Sequence, residues 1–334
     1  MLNFLSYILL IVFNLIIFIN FNKLVNIINI SDKPNELRKI HSKPIPSIGG
    51  LIIILNLFFF LALSFYDDEI FLVFEGERSM FALFGASMLI TYFGAYDDKY
   101  GISPTNKLLI LSIIIFMALL LDNNLIVKYL NFNNKLIINI EQFSIFFSIL
   151  CFIIFLNAFN MFDGINGQSG SYSIIILIFL YIKNPNSFVI LLLLSITFFL
   201  YLNFKNKTFL GDNGSYLLSY LLSCLIIKNY NFIDVVLTVE EIILLMLYPG
   251  LDLLRLFIMR SLNGSHPFYP DGNHIHHIIL NKTQSQNKTL FINLFCISVP
   301  ILIYLYIKYI YISLLLTLSM YLFVYIFFNR KKNV

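Results

Sequence analysis

Apolar runs of roughly 14 to 22 residues recur along the whole chain, separated by short polar turns. A bilayer core takes about 20 residues of helix, so runs of this length without charge read as membrane crossings. The pattern predicts helices near 4–22, 48–66, 79–96, 108–121, 143–160, 171–183, 187–203, 215–228, 240–259, 289–307 and 309–328, about eleven crossings in all. No soluble domain fits between the runs and no linker is long enough to join two domains. Residues 1–334 are therefore expected to form one all-α, polytopic membrane domain. The first run, LSYILLIVFNLIIFIN, has no basic residue before it and no small-residue cleavage site after it. That pattern predicts a first span rather than a removable signal peptide.

Composition agrees with the pattern. Apolar residues make up 59% of the 334 and charged residues 12%, about half the charged share of a soluble domain. Cys151, Cys224 and Cys296 lie inside apolar runs without ligand spacing, as small buried side chains do. The net charge of +4 matters less than where the charges fall. With alternating loops, 16 of the 22 basic residues fall on one side, among them Lys43, Lys99, Lys107, Lys205, Arg255, Lys282 and Lys331, and 6 on the other, such as Arg78, Lys128 and Lys308. The positive-inside bias makes the first side cytoplasmic, with the N-terminus outside and the basic C-terminal tail inside.

Every Gly-Asp, Asp-Gly and Asp-Asp motif and all five histidines then lie on the cytoplasmic side. The acids of the outer loops, including Asp67, Asp68 and Glu69, read as a solvated face. Asp97 and Asp98 differ because they abut an apolar helix, followed by Lys99 and Lys107. Two carboxylates held together in partly desolvated surroundings need a cation, or one must keep its proton. In NAFNMFDGINGQSG, Asn157, Asn160 and Asp163 recur at three-residue spacing and project toward one point at a helix end. In FLGDNGSYLL, Asp212 precedes an apolar helix as a cap or as a Mg²⁺ ligand. In SHPFYPDGNHIHHIILNK, the histidines with Arg255, Arg260 and Lys282 are expected to bind phosphate, since neither Cys nor HExxH spacing supports zinc. Carboxylates, amides, glycines and basic groups on one membrane face describe phosphoryl transfer between a soluble nucleotide and a lipid.

Five motifs, HSKPIPSIGG, GAYDDKYGIS, NAFNMFDGINGQSG, FLGDNGSYLL and PDGNHIHH, stand in one order on one side of the membrane. Together they resemble the polyprenyl-phosphate N-acetylhexosamine-1-phosphate transferase family, and the HIHH form is similar to its undecaprenyl-phosphate GlcNAc-1-phosphate branch. The resemblance implies a Mg²⁺-dependent enzyme, with Mn²⁺ an admissible substitute, in the bacterial cytoplasmic membrane with its active site on the cytoplasmic face. Its partners would be a UDP-N-acetylhexosamine and undecaprenyl phosphate, with no nucleic acid; a homodimer is compatible with the sequence.

Carried onto this chain, the resemblance implies that Asp212 would ligate the metal, Asp97 would deprotonate or orient the lipid phosphate, and Asp98 would support it or share the metal. Asn157, Asn160, Asp163 and Asn166 would line the nucleotide-sugar pocket, Lys107 would meet the phosphates, and His274, His276 and His277 would close over the diphosphate. Lys43 would help bind the lipid head group.

Two departures stand out. Asn166 replaces the second acid of the family's DGxDG turn, and Gly272 and Asn273 follow the PD pair where a basic residue is common. The resemblance leaves the donor sugar undecided. It also leaves two alternatives: the muramoyl-pentapeptide branch, and an inactive member that binds lipid. A transporter is disfavoured, because the acids cluster at one face and no internal repeat is present.

Overall fold

The computed structural model describes residues 4–32, 34, 43–65, 76–133, 136–232, 236–265 and 272–329. Inside a bilayer every backbone group must be satisfied within the protein, and the apolar runs answer by forming helices. In chain order these are α1 (Phe4–Ile19), α2 (Phe21–Ile28), α3 (Gly49–Ser64), α4 (Glu77–Tyr100), α5 (Pro104–Leu121), α6 (Ser144–Phe162), α7 (Gln168–Lys183), α8 (Ser187–Phe204), α9 (Gly211–Asn231), α10 (Val239–Leu262), α11 (Ile275–Thr283), α12 (Gln286–Ile307) and α13 (Ile310–Asn329). Two antiparallel pairs complete the fold, β1 (Ser31–Asp32) with β2 (Ile45–Pro46) and β3 (Tyr129–Phe132) with β4 (Leu136–Asn139).

Each of the eleven expected apolar runs is helical. By length and composition, seven of the described helices are apolar and long enough to cross a membrane: α4, α5, α6, α8, α10, α12 and α13. The remaining four depart for separate reasons. α1 bends by 63° into α2, and α3 and α7 have 16 residues each. α9 carries a Gly-Asp-Asn-Gly first turn and Ser215, Ser219 and Ser223 along its length.

α9 tolerates those polar residues because it is wrapped by its neighbours. Almost every side chain from Asn213 to Ile227 is buried, chiefly against α4, α6 and α3. Its serines satisfy themselves on the helix: Ser219 donates to the Ser215 carbonyl at 2.7 Å and Ser223 to that of Ser219 at 2.8 Å. The apolar core extends from Leu10 to Val324. Large apolar side chains such as Met88, Phe146 and Phe323 stay exposed on the outside, as they do where lipid is the solvent.

Two helices begin earlier than the apolar pattern suggests. Ser103 Oγ accepts from the Asn106 N–H at 3.4 Å and Pro104 occupies the first turn, so α5 starts before Lys107. α9 likewise starts at Gly211. Lys107 and Asp212 thus stand on first turns of helices, held more firmly than loop residues. At the opposite end of the bundle Lys228 pairs with Asp122 at 3.1 Å and Lys183 pairs with Glu241.

Candidate active site

The site forms where the last turn of α4 crosses the first turn of α9. Gly94 makes the crossing close: a Cβ there would lie 2.4 Å from the Asn213 Cα. One turn later the two aspartates of α4 diverge. Asp98 turns to the N-terminus of α9, where its oxygens accept from the Asp212 N–H at 2.9 Å, the Asn213 N–H at 3.2 Å and the Asn213 side-chain amide at 2.6 Å. A carboxylate there satisfies backbone donors left open by the helix and meets the positive end of its dipole.

Asp97 turns the other way. One oxygen accepts from the Ile102 N–H at 2.8 Å and the other pairs with Lys107 Nζ. Lys107 also reaches Asp212 Oδ2 at 3.3 Å. Asn160, on the last turn of α6, donates to Asp212 Oδ1 at 2.8 Å and to Ser215 Oγ at 2.7 Å. Four helices, α4, α5, α6 and α9, therefore converge on one carboxylate.

Asp212 opens onto a cleft of about 320 Å³ that Asp98, Asn160, Asp163, Asn166 and Asn206 also line. Burial pushes the Asp163 carboxyl up to about 7, with the Asp212 charge adding to the rise and a Ser169 hydrogen bond opposing it. Asn166 donates to Asn206 Oδ1 at 2.6 Å, and the Gly167 N–H donates to Asn203 Oδ1 at 2.6 Å. These two bonds tie the Asp163–Gly167 turn to the end of α8 and the segment that follows it.

The histidine segment packs on the same turn. A Cβ on Gly164 would stand 1.8 Å from His276 Nε2, so only glycine leaves room for that ring. His276 stacks on His274, with centroids 5.4 Å apart, and meets His277 at 4.3 Å. Burial drives the His276 pKa well below the ordinary value, and the neighbouring His277 and His274 lower it further. The ring is neutral, and neither of its nitrogens has a hydrogen-bond partner among the described residues. His274 Nδ1 lies 3.1 Å from Asp252 Oδ2.

Of the residues expected from the sequence, Asp98, Asn160, Asp163, Asn166 and Asp212 line one cleft. Asp97 is 4% exposed and stands behind Lys107, outside the cleft lining. Asn157 donates to the Ile153 carbonyl of its own helix at 2.7 Å and does not line the cleft. Lys43 is exposed two residues before β2, also away from the lining. Arg255, expected to meet phosphate, instead pairs with Asp252 at 2.7 Å and donates to the Asn273 carbonyl at 2.6 Å. His41, His266 and Asp271 lie outside the described residues.

Sequence reading missed Asp32, Asn203, Asn206 and Gln286 in the cleft, and Asp252 beside the histidines. Asp252 did carry a signal, a carboxylate inside an apolar run with an arginine three residues on. Asp32 reaches the cleft through the pairing of β1 with β2, which two-residue strands do not announce.

Among the described residues no group of three or more His, Cys, Asp or Glu side chains is arranged to hold a metal ion. Magnesium does not require one, since it binds through one or two carboxylates and completes its shell with water and substrate phosphate. Asp212 and Asp163 on one cleft, with the Asn160 amide beside them, form such a hard-oxygen set.

Comparison with known proteins converges on the same region. The model of glycosyl transferase family 4 matches residues 80–230, which hold Asp97, Asp98, Lys107, Asn160, Asp163 and Asp212. The chain is 30% identical over 267 residues to the probable undecaprenyl-phosphate N-acetylglucosaminyl 1-phosphate transferase of Bacillus subtilis (strain 168), covering 75% of this chain and 69% of that protein. It is 26% identical over 277 residues to the undecaprenyl-phosphate alpha-N-acetylglucosaminyl 1-phosphate transferase of Thermotoga maritima, covering 81% and 80%. The protein of that name from Escherichia coli O157:H7 is 24% identical over 272 residues, covering 77% and 71%.

Proposed function

Because the chain belongs to glycosyl transferase family 4, we propose that it transfers an N-acetylhexosamine-1-phosphate from a UDP-sugar to undecaprenyl phosphate, as the first membrane step of a cell-envelope glycan. An oxygen of the lipid phosphate forms a bond to the sugar-linked phosphorus. The bond from that phosphorus to the bridging oxygen breaks, and UMP leaves with the electron pair. The observation that carries this reading is the Asp97–Lys107–Asp212–Asn160 constellation at the mouth of a polar cleft. Such transfers depend on positioning and charge neutralisation more than on covalent help from the protein.

Within this reading Asp212 and Asp163 hold Mg²⁺, which when bound neutralises the diphosphate. Lys107 supplies a second positive charge to the phosphates, and its pairing with Asp97 keeps the ammonium beside Asp212. Asp98 fixes the first turn of α9 and with it the direction of Asp212. Asn166 and Asn206 offer neutral amides to the nucleoside or the N-acetyl sugar, which accounts for an amide where the family carries an acid. The neutral His276 and its neighbours close the diphosphate side.

The helix ends gathered at the site match the basic side of the chain, so we place this end in the cytoplasm. We read α1, α3, α7 and α9 as crossings beside the seven longer helices, which makes eleven in a single transferase domain. The relatives make UDP-GlcNAc the first donor to examine. The test is transfer of a radiolabelled sugar phosphate into the butanol-extractable lipid fraction, with UDP-GlcNAc, UDP-GalNAc, UDP-QuiNAc, UDP-FucNAc and UDP-MurNAc-pentapeptide compared side by side. Label entering lipid from one N-acetylhexosamine donor is the expected result. Entry from the pentapeptide donor alone would move the protein to the muramoyl branch.

A further inference from the structure

Asp252 lies in the middle of α10, 4% exposed, in an otherwise apolar stretch. An ionised carboxylate at that depth is costly unless fully paired, and every contact it makes leads toward the histidine segment or its support. Oδ2 meets His274 Nδ1 at 3.1 Å. The Ile275 N–H, at the start of α11, donates to both oxygens at 3.2 and 3.3 Å. Arg255 donates to Oδ1 at 2.7 Å and the Tyr321 hydroxyl of α13 donates to Oδ1 at 3.1 Å. Arg255 Nε also donates to the Tyr321 oxygen at 2.9 Å, and the terminal nitrogen that meets Oδ1 donates as well to the Asn273 carbonyl at 2.6 Å.

We infer that Asp252 is a positioning residue for the transfer reaction, the fixed point from which α11 and the stacked imidazoles are held against the Asp163–Gly164 turn. The inference rests on the transferase reading above.

A carboxylate only accepts hydrogen bonds, so Nδ1 of His274 carries a hydrogen, and that bond fixes the orientation of the ring. The same carboxylate caps α11, which has no side-chain cap of its own at His274. Ring orientation and helix position are thereby set by one group. His274 then stacks at 9° on His276, and His276 fills the space that Gly164 leaves open. Outer partners that orient a functional histidine are worth about 10–100-fold in activity where they have been removed.

The test uses full-length protein in detergent and two readouts. The first is carbethoxylation of individual histidines by diethyl pyrocarbonate, resolved by mass spectrometry, which needs no donor or activity. In the wild type His274 and His276 are 8% and 1% exposed and react slowly. In Asp252→Asn we expect their labelling to rise about tenfold, with alkylation of the buried Cys224 unchanged. The second is transfer kinetics: kcat should fall about 10–100-fold with KM for the UDP-sugar changed less than about threefold.

Tyr321→Phe removes one donor to Asp252 and should raise the same labelling about two- to fivefold, which keeps the question answerable if Asp252→Asn does not fold. Unchanged labelling of His274 and His276 in a folded Asp252→Asn, or in Tyr321→Phe when only that variant folds, would overturn the inference. So would a rise matched by Cys224, since that reports global loosening. If the wild type transfers no sugar, the labelling arm still decides the positioning claim, and only the transferase reading falls.

Discussion

Asp97 and Asp98 are adjacent in sequence and separate in role. Consecutive residues on a helix point about 100° apart, so one carboxylate reaches Lys107 and the other the N-terminus of α9. Asp97→Asn should release Lys107 and lower transfer by at least about 100-fold, with no change in the amount of protein in the membrane. Retained activity in that variant would remove Asp97 from the machinery. Asp163 supports a second prediction. Its carboxyl is raised to about 7, so without metal the folded state loses stability as pH rises from the ordinary carboxyl value through about 7. Mg²⁺ offsets that loss and binds best once the proton has left. The gain in Tm from millimolar Mg²⁺ should therefore be larger at pH 8 than at pH 6, as differential scanning fluorimetry reads it; an equal gain would remove Asp163 from the metal site. The chemistry-bearing residues were legible because polar side chains in so apolar a chain are conspicuous. Their division of labour was not, because which way each side chain turns depends on the partner helix.

At the scale of elements, helix positions followed from apolar run lengths, and helix surroundings did not. By composition α9, with its serines and Gly-Asp-Asn-Gly turn, is not among the candidate spans, yet it is the most enclosed of the described helices, since its neighbours rather than lipid solvate it. α11 and the short strands escaped notice because a helix of nine residues and strands of two or four leave little periodicity to read. Glycine carries the contacts between elements. Gly164→Ala places a methyl group 1.8 Å from His276 Nε2 and should push α11 off the turn, costing about 1–3 kcal/mol by overpacking and at least tenfold in transfer. Denaturation monitored in detergent and initial rates check both parts. A fully active, fully stable Gly164→Ala would show that the histidines need not lie against the turn.

The whole molecule is a bundle whose two ends differ in chemistry, with the cleft and histidines at one end and closed ion pairs at the other. The proposed eleven crossings predict that Lys205→Cys and Lys308→Cys, in a background lacking the three native cysteines, report opposite sides of the membrane. In intact cells a membrane-impermeant maleimide should label position 308 and spare 205. The most direct test of the central claim is release of UMP by the purified protein given UDP-GlcNAc, undecaprenyl phosphate and Mg²⁺, run beside Asp212→Asn and an EDTA control. The account predicts lipid-dependent UMP from the wild type and at least about 100-fold less from the variant and from the chelated sample. UMP release undiminished in Asp212→Asn would contradict it.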